Sequence, residues 1–200
     1  MRPQVSGAAA PPAQVVWFYL LIRSTLRVSL GPWLRWRVEG VERVPAAGPV
    51  VLCANHISWL DPLVVGAASP RPVLFMAKDE LFHYPVLARV LPWVGAFPVR
   101  RGVPDRRAIT TAVRALAAGR VVGVFPEGHR QESLRLGEMR RGAALLAALA
   151  HAPMVPVLVR GTTSRRGPAV VTFGSPLPVF TDAEAGRDAL TTALTDLARS

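Results

Sequence analysis

Residues 50–68 read VVLCANHISWLDPLVVGAA. The run Val50–Cys53 is continuously apolar, which is typical of a buried strand, and residues 62–68 are apolar behind a proline that suits the first turn of a helix. Between the two lies a polar loop that carries His56 and Asp61. A strand, a loop and a helix in this order form the repeating unit of α/β folds. Sites in such folds collect where a strand ends and a loop begins.

The chain after about Gly40 continues this alternation. Further strands are predicted over 72–77, 93–99, 121–125, 155–159 and 169–173, and further helices over 80–91, 105–118, 138–150 and 181–199. Gly119 suits the left-handed residue that ends a helix, and Thr181 and Glu184 have the spacing of a capping box. The pattern predicts one α/β domain over 39–200, in which helices flank a mixed, largely parallel sheet.

The first 38 residues differ from the rest in composition. Residues 1–14 are rich in proline and alanine and are predicted to be a disordered tail. Residues 15–38 combine large aromatic side chains with arginines and are predicted to be helical, with a break at Gly31-Pro32. Such a segment either lies in a membrane interface or packs on the protein's own core. So many aromatics near a chain end favour the membrane interface.

No window of the sequence reaches the roughly 18 unbroken apolar residues of a spanning helix, and no signal peptide pattern is present. The sequence therefore predicts a peripheral or monotopic protein at the cytoplasmic face of the cell membrane. The formal charge of +11 fits an anionic membrane surface or a polyphosphate ligand, although a general preference for arginine gives the same charge. One cysteine allows no zinc-finger spacing, and no nucleic-acid partner is predicted.

The loop that follows the first strand holds a histidine with a nearby carboxylate. Asp61 precedes Pro62 and is expected to be the N-cap of the helix, so that its carboxylate folds back toward the His56 imidazole. A carboxylate on one ring nitrogen leaves the other nitrogen free to act as a base. Asn55 is expected to hold this loop through backbone groups. Ordinary capping by two polar loop residues is the alternative interpretation.

Other chemistries at this loop are less well supported by the sequence. The one cysteine of the chain, Cys53, excludes an internal disulfide and, lying in an apolar run, is expected to be a buried hydrophobe rather than a nucleophile. Ser58 is too close in sequence to His56 and Asp61 for a well-formed triad. A metal is not predicted, because no third ligand occurs at a recognisable spacing.

A second polar loop, Phe125-Pro126-Glu127-Gly128-His129-Arg130, follows the predicted strand at 121–125. Arg130 is suited to bidentate binding of a phosphate, and Glu127 to binding a hydroxyl or an arginine. Lys78, the only lysine of the chain, and the pair Arg100-Arg101 also follow predicted strands. Each of these charges alone is equally typical of a solvated surface.

The four sequence blocks together resemble the glycerolipid acyltransferase family of the 1-acylglycerol-3-phosphate acyltransferase type. The blocks are Asn55-His56 through Asp61, Gly95 through Arg101, Phe125-Pro126-Glu127-Gly128 with Arg130, and Val155-Pro156-Val157. Met76-Ala77-Lys78 also resembles the family's segment between the first two blocks. One histidine and one aspartate at this spacing are a weak signal, whereas four blocks in order are a specific one.

The resemblance implies a reaction and a role for each block. His56, oriented by Asp61, is the implied general base that removes a proton from the free hydroxyl of a lysophospholipid acceptor. The acyl donor is acyl-CoA or acyl-carrier protein, and no bound cofactor is implied. The residues implied to bind the glycerol phosphate are Lys78, Arg101, Glu127, Gly128 and Arg130, and those implied to support the site are Asn55, Gly95, Pro126 and Pro156.

One position departs from the family pattern, since His129 stands where the family usually has threonine. The acceptor is therefore open between 1-acylglycerol 3-phosphate and another alcohol, such as glycerol 3-phosphate, a lysophospholipid, or an amino-acid or glycan lipid. A non-enzymatic protein that binds anionic lipid is the third hypothesis. It has no need of an oriented base.

Overall fold

The computed structural model of the protein describes residues 24–25, 28, 36–100, 102–103, 105–131, 136–163 and 168–199. The strands are β1 (Arg37–Glu39), β2 (Val50–Ala54), β3 (Val73–Lys78), β4 (Ala96–Val99), β5 (Val121–Val124), β6 (Met154–Arg160) and β7 (Val170–Phe173). The α-helices are α1 (Asp61–Ala68), α2 (Pro85–Trp93), α3 (Arg106–Ala117), α4 (Gly142–Leu149) and α5 (Ala183–Arg199). Short 3-10 helices cover Val41–Arg43 and Asp79–His83.

The seven strands form one sheet in the order β1-β7-β6-β2-β5-β3-β4. Every neighbouring pair is parallel except β6 and β7, which are antiparallel. The prediction of a mixed, largely parallel sheet with flanking helices is therefore confirmed. Strand β2 lies in the middle, between β6 and β5, so the loop that follows it sits near the centre of one edge of the sheet.

The core is divided by the sheet into two layers, and strand β2 contributes to both. Leu52 packs with Val64 and Val65 of α1 on one face. Val51 and Cys53 pack on the other face against α3, α4 and α5. Alternation of side chains along a strand produces this division. All five residues of β2 are buried, as the continuous apolar run predicts.

Several predicted boundaries are wrong for local reasons. The predicted helix over 80–91 is a 3-10 helix followed by α2, because Tyr84 is extended before Pro85, as residues before proline prefer to be. Helix α4 begins at Gly142 rather than at 138. Helix α5 is capped by Asp182 rather than Thr181, since the Asp182 carboxylate accepts hydrogen bonds from the backbone N–H groups of Glu184 and Ala185.

Most of the predicted helical segment over 15–38 lies outside the described residues, as does the predicted tail over 1–14. Residues 24, 25 and 28 are described and are helical. Arg37 and Val38 were expected to end that helical segment, but they lie in β1 and pair in parallel with β7. Across the described parts of the chain, no helix has the length and apolar character needed to cross a membrane.

Candidate active site

Three adjacent parallel strands bring the candidate site together. His56 follows the carboxyl end of β2, while Glu127 and Thr162 follow the ends of its neighbours β5 and β6. Because the strands are parallel, these three ends meet at one edge of the sheet. The edge carries buried polar groups: His56 is 6% exposed, and Asp61 and Glu127 are 0% and 1% exposed.

The His56 imidazole and the Asp61 carboxylate are in direct contact. His56 Nδ1 lies 3.0 Å from Asp61 Oδ2. The same oxygen accepts hydrogen bonds of 2.7 Å from the backbone N–H groups of Ile57 and Ser58. A carboxylate only accepts hydrogen bonds, so the imidazole donates from Nδ1 and its Nε2 carries the lone pair. The pair has the arrangement of a histidine base and its orienting carboxylate.

The expectation that Asp61 is an N-cap is wrong in its detail. Helix α1 begins at Asp61 itself, and Leu60 occupies the cap position without a side-chain hydrogen bond. The Asp61 carboxylate turns back onto the loop instead of bonding forward into the helix. This backward direction is what brings it to the imidazole.

The backbone of His56 is held on both sides. Its N–H donates to Glu127 Oε2 at 3.1 Å, and its C=O accepts from the backbone N–H of Gln131 at 2.7 Å. The preceding residue, Asn55, forms two hydrogen bonds between its side-chain amide and the backbone of Val159, at 3.0 and 2.7 Å. The loop is therefore tied to β6 on one side and to the loop that follows β5 on the other.

The imidazole ring is supported from one side by aromatic rings. The ring centroids of His56 and Phe125 are 4.2 Å apart and the rings are stacked. Phe125 in turn stacks on Phe75 at 5.9 Å. Gly123 makes room for this stack, since a Cβ at that position would overlap the Phe75 ring. No described residue offers His56 Nε2 a hydrogen-bond partner, so this nitrogen is available to a substrate proton.

Glu127 uses both carboxylate oxygens within the protein. Besides the His56 contact, Oε1 accepts a hydrogen bond from the backbone N–H of Gly137 at 3.2 Å. Burial raises the pKa of Glu127 above its ordinary value, and the two backbone hydrogen bonds oppose that rise. These contacts make Glu127 a residue that positions the base loop, the segment of residues 55–60 between β2 and α1. The contact with substrate implied by the family resemblance stays a prediction.

Two of the predicted phosphate-binding cations, Lys78 and Arg130, lie at the same edge, and neither forms a hydrogen bond with His56 among the described residues. Lys78, at the end of β3, pairs with Glu80 at 3.1 Å and is half exposed. Arg130 is exposed. Arg101 lies outside the described residues. Gly128 has a φ of 77° and lies against the Arg140 side chain, so a side chain at this position would be strained and would displace that guanidinium.

Of the residues predicted to support the site, Asn55, Gly95 and Pro126 lie in loops or turns beside strands, and Pro156 lies within β6. The carbonyl of Pro126 accepts a hydrogen bond of 2.9 Å from the backbone N–H of Arg140. Pro156 pairs with Cys53 across β6 and β2, and its carbonyl accepts from the N–H of Gly174 at 2.8 Å. Gly95 has a φ of 81° at the turn into β4, where a Cβ would press on the carbonyl of Val73.

The two side chains considered as nucleophiles are engaged structurally. The Cys53 thiol is fully buried, and burial raises its pKa, so the reactive thiolate is disfavoured. The Ser58 hydroxyl accepts a hydrogen bond from the backbone N–H of Leu60 at 3.2 Å. Within the portion of the chain that the structure describes, no group of three His, Cys, Asp or Glu side chains is arranged to hold a metal ion.

Sequence reasoning missed two residues that the fold brings to the base. Thr162 donates its hydroxyl to Asp61 Oδ1 at 2.7 Å, and Gln131 donates its backbone N–H to His56. The signal available for Thr162 was a glycine and a hydroxyl side chain directly after the strand that carries Val155-Pro156-Val157. The Gln131 contact is made by a backbone group and therefore has no side-chain signal.

Comparisons with known proteins agree with this geometry. A family model described as Acyltransferase matches residues 35–160. The 1-acyl-sn-glycerol-3-phosphate acyltransferase of Bacillus subtilis is 32% identical over 166 residues, covering 80% of this chain and 82% of that protein. A Streptococcus pneumoniae protein of the same name is 31% identical over 176 residues, covering 81% of this chain and 63% of that protein.

A solved structure supports the fold. The crystal structure of the 1-acyl-sn-glycerophosphate acyltransferase PlsC from Thermotoga maritima matches with a TM-score of 0.76, over 92% of this chain and 80% of that chain. The two sequences are 23% identical, so this similarity bears on architecture. The family model covers more than half of the sequence, and its range contains the histidine and aspartate of the site. The chain therefore belongs to the acyltransferase family.

Proposed function

We propose that the protein transfers a fatty acyl group from a thioester donor, acyl-CoA or acyl-carrier protein, to the free hydroxyl of 1-acylglycerol 3-phosphate. The product is phosphatidic acid, an intermediate of phospholipid synthesis. The observation that carries the proposal is the 3.0 Å contact between His56 Nδ1 and Asp61, together with an Nε2 that has no hydrogen-bond partner among the residues the structure describes. Membership of the acyltransferase family and the names of the relatives support the choice of reaction.

The hydrogen bond from Nδ1 to Asp61 suits the His56 imidazole to act as a base through Nε2. His56 Nε2 takes the proton of the acceptor hydroxyl as its oxygen attacks the thioester carbonyl, and Asp61 stabilises the imidazolium that forms. The tetrahedral intermediate collapses with cleavage of the C–S bond, and the imidazolium returns the proton to the leaving thiolate. The donor already carries an activated acyl group, so the reaction needs no bound cofactor.

The phosphate of the acceptor requires cations beside the base. Lys78 ends β3 and Arg130 follows β5, and both strands end at the same edge as the strand that precedes His56. Both side chains are exposed, so an anion can reach them, and the phosphate would compete with Glu80 for the Lys78 ammonium. We assign Arg101 to the same set on the sequence resemblance alone. Guanidinium groups bind phosphate in bidentate fashion, and the Lys78 ammonium acts as a point charge.

The acceptor is a membrane lipid, so the proposal includes docking on an anionic membrane surface from the cytoplasmic side. Trp59, within the base loop, is 69% exposed, and Tyr84 and Val86 near the start of α2 are 62% and 72% exposed. Exposed aromatic and aliphatic side chains near the catalytic edge suit a lipid interface, as does the net charge of +11. Residues 15–34, which precede β1, are proposed to add the main contact.

Product analysis tests the reaction. Purified protein is incubated with acyl-CoA or acyl-carrier protein and with 1-acylglycerol 3-phosphate, glycerol 3-phosphate or a neutral lysophospholipid, and the acylated products are identified by mass spectrometry. Phosphatidic acid from the first acceptor supports the proposal. Acylation of a different acceptor alone would assign the protein to that substrate instead.

A related acyltransferase with another acceptor is the second candidate, because His129 is exposed beside Arg130 and differs from the family's usual threonine. The matched variant is His129→Thr. If His129 selects the acceptor, this variant changes the ratio of kcat/KM values between acceptors. An unchanged ratio removes the reason for the second candidate.

Sedimentation with vesicles tests the membrane part. The protein is expected to sediment with vesicles of anionic phospholipid and to stay in solution with zwitterionic vesicles. Deletion of residues 1–34, which leaves β1 intact, is expected to reduce the bound fraction. Equal binding of the deletion variant and the full chain would contradict the role assigned to the first segment.

A further inference from the structure

The carboxylate that orients the base has a fourth donor, which comes from the turn that follows β6 rather than from the base loop. Thr162 Oγ1 lies 2.7 Å from Asp61 Oδ1, whereas Oδ2 of the same carboxylate receives His56 Nδ1 and two backbone N–H groups. Asp61 is 0% exposed and Thr162 is 6% exposed. Water therefore has little access to replace this contact.

The fold places the Thr162 hydroxyl by two independent devices. Strand β6 ends at Arg160, and Gly161 follows with a φ of 76°, where a Cβ would overlap the carbonyl of Pro168. Thr162 follows this turn, and its hydroxyl meets the Asp61 carboxylate there. The second device is the pair of hydrogen bonds between the Asn55 amide and the Val159 backbone, which fixes the end of β6 against the residue that precedes His56.

From this geometry we infer that Thr162 is a positioning residue, whose hydroxyl holds the Asp61 carboxylate in the orientation and the charge state that His56 requires. The hydroxyl stabilises the carboxylate most when the imidazole is neutral, because an imidazolium would itself compensate the negative charge. Loss of the hydroxyl is therefore expected to raise the pH at which the His56–Asp61 pair releases its proton. Thr162 acts through Asp61 and contacts no reacting atom in this assignment.

The informative variant is Thr162→Val, which replaces the hydroxyl by a methyl group of similar size. We expect kcat to fall about tenfold, the scale of a hydrogen bond to a charged group, while KM for donor and acceptor changes less than about twofold. The acid limb of the pH profile of kcat/KM is expected to move to higher pH. Thr162→Ser keeps the donor and is expected to restore both properties.

A matched control is Thr172→Val. Thr172 is also a buried threonine that donates to a carboxylate, Glu39 Oε2 at 2.9 Å, but it lies in β7. A general loss of stability would affect both valine variants, whereas only Thr162→Val is expected to move the acid limb. Wild-type kcat and an unmoved acid limb in Thr162→Val would overturn the inference. If that variant does not fold, Thr162→Cys, a weak donor, takes its place under the same criteria.

The inference deepens the proposed acyl transfer and rests on it for the kinetic measurements. A second readout separates the role of Thr162 from the proposed reaction. The chain has four histidines, so ¹⁵N-histidine NMR can follow the titration of His56 without any substrate. A protein without transferase activity, but with a His56 titration that moves to higher pH in Thr162→Val, would reject the reaction and keep the role of Thr162. An unmoved titration would reject that role whatever the reaction.

Discussion

The carboxylate of Glu127 holds the backbone of His56, with Oε2 accepting a hydrogen bond from the His56 N–H at 3.1 Å across 71 positions of the sequence. The second oxygen holds the backbone N–H of Gly137 at 3.2 Å. A buried carboxylate from the loop after β5 thus fixes the start of the loop that follows β2. Removal of the Glu127 carboxylate is expected to affect stability as well as catalysis.

The first prediction concerns Glu127→Gln. An amide has one acceptor oxygen, so one of the two backbone N–H groups loses its acceptor. We expect the free energy of unfolding at neutral pH to fall by about 1–3 kcal/mol.

Burial raises the pKa of Glu127 in the folded state above its ordinary value of 4.5. Between the ordinary pKa and the raised pKa, the folded state therefore binds more protons than the unfolded state. The stability of wild type relative to the variant is therefore expected to rise as the pH falls through this window.

Denaturant unfolding between about pH 7.5 and pH 4.5 measures this difference. The difference in the free energy of unfolding between wild type and Glu127→Gln is expected to grow as the pH falls. A difference that stays constant or shrinks would show that the buried carboxylate is not destabilised by its environment. Kinetics on the same samples would report whether the base loop has moved.

The sequence predicts the sheet and the base loop because their signals are local. The apolar run Val50–Cys53 specifies a buried strand, and the position of His56 and Asp61 behind it places them at the sheet edge. The direction of the Asp61 carboxylate was not predictable in the same way. It depends on Thr162, 101 positions away, and on the backbone N–H groups of a loop whose shape is set by tertiary contacts.

The role of Glu127 shows the same limit. Its sequence position is compatible with contact to a hydroxyl, an arginine or a backbone group, and only packing selects among these. The partner of Lys78 is likewise decided by the 3-10 helix that brings Glu80 within 3.1 Å. That helix was predicted as part of a longer α-helix, so the pair was not foreseen.

The second prediction concerns the aromatic stack beneath His56. Gly123→Ala places a methyl group where the Phe75 ring lies, and the ring contacts Phe125, which supports the imidazole. We expect a loss of about 1–3 kcal/mol in the free energy of unfolding and a several-fold fall in kcat. Phe75→Leu added to this variant is expected to recover part of both. Thermal unfolding and steady-state kinetics provide the measurements.

The control for this prediction is Gly142→Ala. Gly142 begins α4, and among the described residues no atom beyond its chain neighbours and its own helix backbone lies within 4 Å of the Cβ that alanine would add. Alanine there is expected to be neutral or to stabilise by up to about 1 kcal/mol. Equal destabilisation by the two variants would contradict a specific overlap with Phe75.

The third prediction concerns Arg71, which holds the opposite edge of the sheet. Its guanidinium donates to the carbonyls of Pro45, Gly48 and Gly119, at 2.9, 2.8 and 2.5 Å. A lysine cannot span three carbonyls, so Arg71→Lys is expected to lower the free energy of unfolding by about 1–3 kcal/mol. The same substitution at the exposed Arg114 is expected to change it by less than about 0.5 kcal/mol.

Catalysis is expected to be independent of Arg71. The three carbonyls belong to loops that precede β2 and β5, whereas the base lies after β2. In Arg71→Lys, kcat measured well below the unfolding temperature should therefore match wild type. A large fall in kcat under those conditions would mean that the two edges of the sheet are coupled.

The fourth prediction concerns the charge of Asp61. Asp61→Asn keeps the size of the side chain but removes the negative charge that stabilises the imidazolium. We expect kcat to fall by about 10²–10⁴-fold and the acid limb of the pH profile to move to lower pH, opposite to Thr162→Val. Asp188→Asn, which changes an exposed carboxylate on α5, is the charge control. An Asp61→Asn variant within threefold of wild type would refute the orienting role.

The central claim is that His56 acts as the base in acyl transfer from a thioester. The most direct measurement is acyl-CoA-dependent release of free thiol with 1-acylglycerol 3-phosphate, for wild type, His56→Ala and His151→Asn. His151 has a φ of 47°, a conformation that asparagine tolerates, and it lies after α4 rather than in the base loop. The account predicts thiol release that requires the acceptor, that falls by at least about 10²-fold in His56→Ala, and that persists in His151→Asn. Thiol release at the wild-type rate by a folded His56→Ala protein would contradict it.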